Sequence, residues 1–378
     1  MAQFVPVVIV GGGPAGLACA RALARRGVES VVLERRDWPI DKVCGEGLMP
    51  VGLACLERLG VTLDCGHPFT GIDYVELGGR SAGVDFAEGP GKIVRRLELS
   101  RSLASSDLNL VARARVRDLR ITPNYVEVES DRGSWRCQLV VGADGLHSWV
   151  RHQLGWNQKP PFGWLRWGWR QHYACAPWSR RVEVQLGQGC EAYISPVGPD
   201  QLGVAVLSSK GLNRETWLQS FPQLRARLSG CSPLSPLAGL GPLWQRSARV
   251  MQPGVVLIGD ASGYLDACTG EGLSLAFLQA EALAKCWTPQ ESGKLQSLPG
   301  FERQYKRIVS HYHWLTLGVL ILRRWSPLSR ASVSVLRSNP SLFQRLLSAN
   351  QGLSPVVPLL LELGPRLAIQ VIREALRL

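Results

Sequence analysis

Gly11-Gly12-Gly13-Pro14-Ala15-Gly16 follows an apolar, β-branched run from Val5 to Val10 and precedes helical spacing through Leu17, Ala20, Leu23 and Ala24. Glycines at this spacing build a phosphate cradle: Gly11 permits a tight turn, Gly13 lets backbone approach a pyrophosphate, and Gly16 allows close helix–strand packing. The phosphates would meet the first N–H groups of a helix, where the backbone dipole favours negative charge. Glu34, eighteen residues beyond Gly16, ends a second strand that begins at Ser30. A carboxylate there can accept both hydrogen bonds of an adenosine ribose. Strand, glycines, helix, strand and acid in this register predict a dinucleotide-binding βαβ unit.

Three further segments select FAD. Arg96-Leu97-Glu98-Leu99-Ser100-Arg101-Ser102-Leu103 resembles the R-x-x-L-D-x-x-L helix start of flavoprotein hydroxylases and reductases, with Ser100 in place of the usual Asp. Val141 to Arg151 resembles their G-A-D-G-x-x-S-x-V-R segment, and Leu257 to Ala261 their G-D-A segment, whose Asp holds the ribityl chain. In number and order these motifs resemble the p-hydroxybenzoate hydroxylase-like flavoprotein superfamily. The resemblance implies an α/β fold: a glutathione-reductase-type, Rossmann-like FAD domain, an inserted antiparallel sheet that covers the flavin, and a helical C-terminal region. The FAD domain would comprise residues 1–68, 93–156 and 245–300, the substrate sheet 69–92 and 157–244, and the helical region 301–378. FAD would contact Gly11, Gly13, Pro14, Ala15, Gly16, Glu34, Arg35, Arg96, Val116, Asp144 and Asp260.

Two local features resemble the geranylgeranyl reductase-like branch. Lys42-Val43-Cys44-Gly45-Glu46-Gly47 is similar to its K-x-C-G-[GE]-G stretch beside the isoalloxazine, and Thr269-Gly270-Glu271-Gly272-Leu273 to its T-G-E-G-[IL] turn. This adds Cys44, Gly45, Gly270, Gly272 and Leu273 to the cofactor contacts; N–H groups opening a helix at Gly272 and Leu273 would favour negative charge on the reduced flavin. Where hydroxylases place a His after G-D-A and a Pro before the glycines, this chain has Ser262-Gly263-Tyr264 and Cys268-Thr269. Reducing an alkene takes hydride from flavin plus a proton, for which Cys44, Glu46, Tyr193 and Glu271 are candidates, since burial can keep a carboxyl protonated. The plain alternatives are a small buried hydrophobe for the Cys and structural hydrogen bonding for the acids.

Trp167, Trp169, Tyr193 and Pro196 are the expected substrate wall, with Arg166 or Arg170 available to an anionic head group. Trp164, Trp167 and Trp169 resemble the W-x-W-x-I-P motif of flavin-dependent halogenases, but Arg170-Gln171 replaces the Ile-Pro. His311 and His313, two apart on a helical pattern, face different ways and form no metal pair, so no metal is expected.

These residues need a large scaffold. The chain has 378 residues, 46% hydrophobic and 19% charged, which excludes disorder, and no apolar run reaches the length of a membrane span. The net charge is +13, with 43 basic residues of which seven are Lys, and no basic run of five that would suit nucleic acid. Ten Cys without a C-x-x-C exclude a disulfide framework, and a strand begins by Val5 where a signal peptide would lie, so a reducing cytoplasm is expected. From 157 to 244 Trp, Pro and alternating strands predominate; beyond 300 the chain reads as apolar, basic helix. Its last stretch sets Leu359, Leu360, Leu363, Leu367, Val371 and Leu376 beside Arg366, Arg373 and Arg377. That pattern suits packing on the core, or a lid or membrane-surface contact that admits a lipophilic substrate. The expected function is an FAD-dependent oxidoreductase acting on a lipophilic prenyl, polyketide or aromatic substrate by flavin hydride chemistry at a carbon–carbon double bond. The alternative is a monooxygenase that hydroxylates or epoxidises with NAD(P)H and O2; halogenation and a non-catalytic flavoprotein rank below both. Without a second nucleotide-binding motif, NAD(P)H would bind transiently.

Overall fold

Val7–Val10 is buried at every residue, as a parallel strand covered on both faces must be. In the computed structural model, which describes residues 2–76, 78–161, 164–187, 189–209, 214–291 and 294–375, this strand lies inside a six-stranded sheet. The order is 251–252, 255–257, 139–142, 7–10, 30–33, 109–111, all parallel except the first edge. Val7 and Ile9 face a layer that includes the helices Pro14–Ala24 and Gly272–Cys286. Val8 and Val10 alternate to the other side and pack on the antiparallel strands 116–121, 126–130 and 133–137. The segment Gly133–Gly142 forms two strands, Gly133–Cys137 and Leu139–Gly142. Gly133–Cys137 alternates in exposure and Leu139–Gly142 is wholly buried; the chain changes sheets at Gln138, whose N–H donates to Pro6 O.

A second sheet of eight strands contains 167–174, 182–186, 190–198 and 201–208, joined by 71–76 and 81–85. It is not purely antiparallel as expected: Gly71–Glu76 runs parallel to Val182–Leu186, with Ile72 opposite Val182. The roughly hundred residues between those strands leave and return, and only a long connection permits parallel pairing.

Beyond residue 298 come four helices: Pro299–Arg324, Ser326–Ser338, Pro340–Asn350 and Val356–Ala375. Phe301, Tyr305 and Val309 join the core of the dinucleotide unit, while Val333 and Phe343 pack with Ile72 and Val184 of the large sheet and with Phe69 of a small three-stranded one. The helices therefore bridge both halves. Leu376 and Arg377, part of the expected amphipathic pattern, lie outside the described residues. Among those described, no helix is long and apolar enough to cross a membrane.

Candidate active site and cofactor cradle

Gly11 has φ +110°, and a Cβ there would lie 2.4 Å from Ala143 O; at Gly16 it would lie 1.9 Å from Gly11 O. Both positions accept only glycine. Around the Cβ position of Gly13 nothing lies within 4 Å, which leaves backbone open to a ligand. Buried Glu34 accepts from Gly12 N–H at 2.8 Å and from Arg36 N–H at 2.9 Å, which fixes its carboxylate at the strand end. A cavity of about 350 Å³ runs past these groups, lined also by Gly11, Arg35, Val116 and Asp144. Asp144 Oδ2 accepts from Trp149 N–H and Val150 N–H, and burial pushes its carboxyl up. Arg96 Nε is buried without a partner. An open glycine cradle beside an unpaired guanidinium N–H fits a diphosphate, and an acid at the strand end fits its ribose.

Gly13, Lys42, Arg96 and Ala143 also line a second cavity of about 360 Å³. At this junction lie Pro14, Ala15, Cys44, Gly45, Asp260, Gly270, Gly272 and Leu273. Gly272 opens a fifteen-residue helix, so its N-terminus faces the cavity. From there the cavity passes Trp169 and Tyr193 on the large sheet and ends among Leu315, Val333, Leu336, Phe343 and Leu360 of the C-terminal helices. Arg151 ties the two ends of the cradle together: it donates to Leu146 O, to Ala261 O at 2.9 Å and to Gln245 Oε1.

Glu46 sits in the left-handed region, φ 63°, and is buried. Such a conformation is strained for a residue with a Cβ, by about 1–3 kcal/mol, and persists only where surroundings enforce it. Here Oε2 lies 2.7 Å from His172 Nε2, and Oε1 accepts from Arg170 at 3.2 Å, with Arg95 Nε at 3.6 Å. Arg170 also grips both oxygens of Asp41, and His172 Nδ1 lies 3.1 Å from Ser235 Oγ. The network clamps the Cys44 loop to the large sheet.

Glu271 and Tyr193 are among the groups that face the cavity with a proton to hold. Glu271 is buried, its Oε1 accepts from Asn350 Nδ2 at 3.0 Å, and desolvation pushes its carboxyl up to about 8. Burial holds the Tyr193 phenol well above its ordinary range, and its O–H donates to Cys268 O.

The structure thus brings the cradle residues, the Cys44 loop, the glycine-rich turn, Trp169 and Tyr193 onto two joined cavities, but not every expected wall residue. Trp167 lies against Gly241, where an added Cβ would come within 2.3 Å of its ring, and does not line the cavity. Pro196 is odd-numbered from Tyr193 and falls on the opposite strand face; Ser195 lines the cavity instead. Gly16 serves packing. Arg170 is spent on Asp41 and Glu46, and Arg166 on Asp266 and Glu191, so neither is free for a head group. Sequence reasoning missed His172, Asp41 and Asn350; no local motif marks them, and Asn350 meets Glu271 from 79 residues away.

The FAD binding domain family matches residues 4–68 and 112–227. A menaquinone reductase of Mycolicibacterium smegmatis is 28% identical over 75% of this chain and 76% of its own. A digeranylgeranylglycerophospholipid reductase of Methanopyrus kandleri is 26% identical over 72% and 77%, and a 3-demethoxyubiquinol 3-hydroxylase of Escherichia coli is 26% identical over 74% and 79%. With the cradle and these relatives together, the chain belongs to the p-hydroxybenzoate hydroxylase-like superfamily of FAD-dependent oxidoreductases.

Proposed function

We propose that the protein reduces a carbon–carbon double bond in a lipophilic prenyl, polyketide or aromatic substrate, with FAD as cofactor and NAD(P)H as transient electron donor. One observation carries this reading: an apolar cavity continuous with the cofactor cradle holds a buried carboxylic acid, Glu271, that burial pushes up to about 8. Bound FAD, once reduced, would supply a hydride, one hydrogen together with its electron pair. The chain's own residues do the rest. Gly11, Gly13, Glu34 and Arg96 would hold the dinucleotide, and the N-terminus of the Gly272–Cys286 helix favours negative charge at the flavin. Trp169, Tyr193 and the leucines of the C-terminal helices exclude water and hold the substrate by area. Glu271, protonated at neutral pH and oriented by Asn350, gives its proton to the substrate carbon. Glu46, surrounded by Arg170, Arg95 and His172, holds the Cys44 loop in place.

The named substrates of two relatives, a menaquinone and a digeranylgeranyl lipid, suit such a cavity; the hydroxylase relative supports the second reading, oxygen insertion. The two separate in one assay. Reduced enzyme and a polyprenyl quinone, held without oxygen, should yield a product that still carries two added hydrogen atoms on its prenyl chain after the head group is reoxidised to the quinone. A product formed only in air and carrying an added oxygen atom would reverse the order of the two readings.

A further inference from the structure

Two C-terminal helices turn apolar side chains to solvent, and their stripes meet where the cavity lining reaches the surface. On Val356–Ala375, Leu359, Leu363 and Leu367 are buried, yet Val357, Leu361, Ile369 and Ile372 are 57, 72, 51 and 57% exposed. They span about 120° of the helix, with Glu362, Arg373 and Arg366 along one edge of the stripe. On Pro299–Arg324 and just beyond it, Trp314, Ile321 and Trp325 are 55, 48 and 62% exposed, in line with Gly318. A Cβ on Gly318 would lie 4.0 Å from Leu360 Cδ2. Gly318 and Leu360 are half-buried and both line the cavity. The seam between the stripes is therefore also the rim of the cavity.

The charge around this face is mostly positive. Residues 301–378 contain eleven Lys and Arg against three Asp and Glu, so this fifth of the chain supplies most of its positive excess. Arg324, Arg330 and Arg373 are exposed.

We propose that this face docks on the surface of an anionic bilayer, with the two stripes in the headgroup boundary and the cavity rim opening onto the acyl chains. Apolar stripes beside a cationic surplus bind such a surface, and tryptophans settle at headgroup depth. A second protein seated on the seam would close the cavity, whereas a bilayer supplies it with apolar ligand. The inference stands on this geometry whichever redox reaction the site performs.

Flotation of FAD-loaded, full-length protein tests it, with vesicles of phosphatidylcholine alone or mixed with phosphatidylglycerol. The wild type should float with the mixed vesicles, and Leu361→Glu with Ile372→Glu should weaken that binding on the order of tenfold or more while FAD absorbance and Tm persist. Ile321→Ser with Trp325→Ser, on the other stripe, should do the same, which keeps the test decisive if the first pair disturbs folding. No flotation of the wild type, or flotation that survives both pairs, overturns the proposal. So does a dimer in sedimentation that either pair dissolves, which would assign the face to a second copy.

Discussion

Glu271 joins an unremarkable residue type to an environment that changes its chemistry. Burial raises its carboxyl from the ordinary 4.5 to about 8, so turnover limited by its proton should hold steady below that value and fall above it. Glu271→Gln should lower kcat by about a hundredfold or more and abolish this alkaline limb; a variant that keeps wild-type rate and pH profile removes Glu271 from the reaction. The same shift has a stability consequence with a definite sign. A group raised on folding contributes fully below its unfolded value and loses that contribution as pH rises to the folded one. Between pH 4.5 and about 8, the wild type should therefore lose stability relative to Glu271→Gln by a few kcal/mol, on the order of 1.4 kcal/mol per unit. Parallel Tm profiles would contradict it. Arg170 is a different case, a buried cation held between buried Glu46 and exposed Asp41. Arg170→Leu leaves Glu46 and Asp41 without it and should cost about 3–5 kcal/mol in urea unfolding. A loss under 1 kcal/mol would mean the clamp is dispensable.

The glycine-rich turn works as an element because strand, turn and helix fit only without side chains at two places. Gly16→Ala would put a methyl group 1.9 Å from Gly11 O, forcing the Pro14–Ala24 helix away from its strand. Overpacking of this kind costs about 1–3 kcal/mol or more, and FAD occupancy should fall with it; full occupancy measured by absorbance would show that the helix can yield. The Ser326–Ser338 helix acts on the other cavity. Leu336 lines it and is half-buried, so Leu336→Trp should fill the space, raising KM for a long-chain substrate on the order of tenfold. FAD binding should stay intact, and an unchanged KM would move the substrate elsewhere.

Across the whole molecule, the cofactor cradle draws on segments near residues 11–16, 34–46, 144 and 260–273, which the chain delivers from distant positions. A ligand that bridges them stabilises only the folded arrangement. Saturating FAD at about a thousandfold its Kd should add about 4 kcal/mol, visible as a higher Tm of holoprotein over apoprotein. Equal melting of the two would mean that FAD does not bind the folded arrangement. The Arg151 contacts to Leu146 O and Ala261 O already supply part of that bridge.

The dinucleotide unit was legible in the sequence because its determinants are local: the glycines, the helix that follows them and Glu34 lie within one βαβ stretch, and period and spacing encode them directly. The FAD contacts and the Cys44 and T-G-E-G turns were legible for the same reason. Register decided what local pattern did not. Trp167 and Pro196 share a strand type with Trp169 and Tyr193, yet a covering segment hides the first and strand alternation turns away the second. The Glu46 clamp arises from four segments, around residues 41, 95, 170 and 235, and the partnering of Glu271 with Asn350 spans 79 positions. Such contacts carry no sequence period. The elevated Glu271 carboxyl has the same origin: a sequence specifies which groups can ionise, but desolvation depends on everything that tertiary packing places around them.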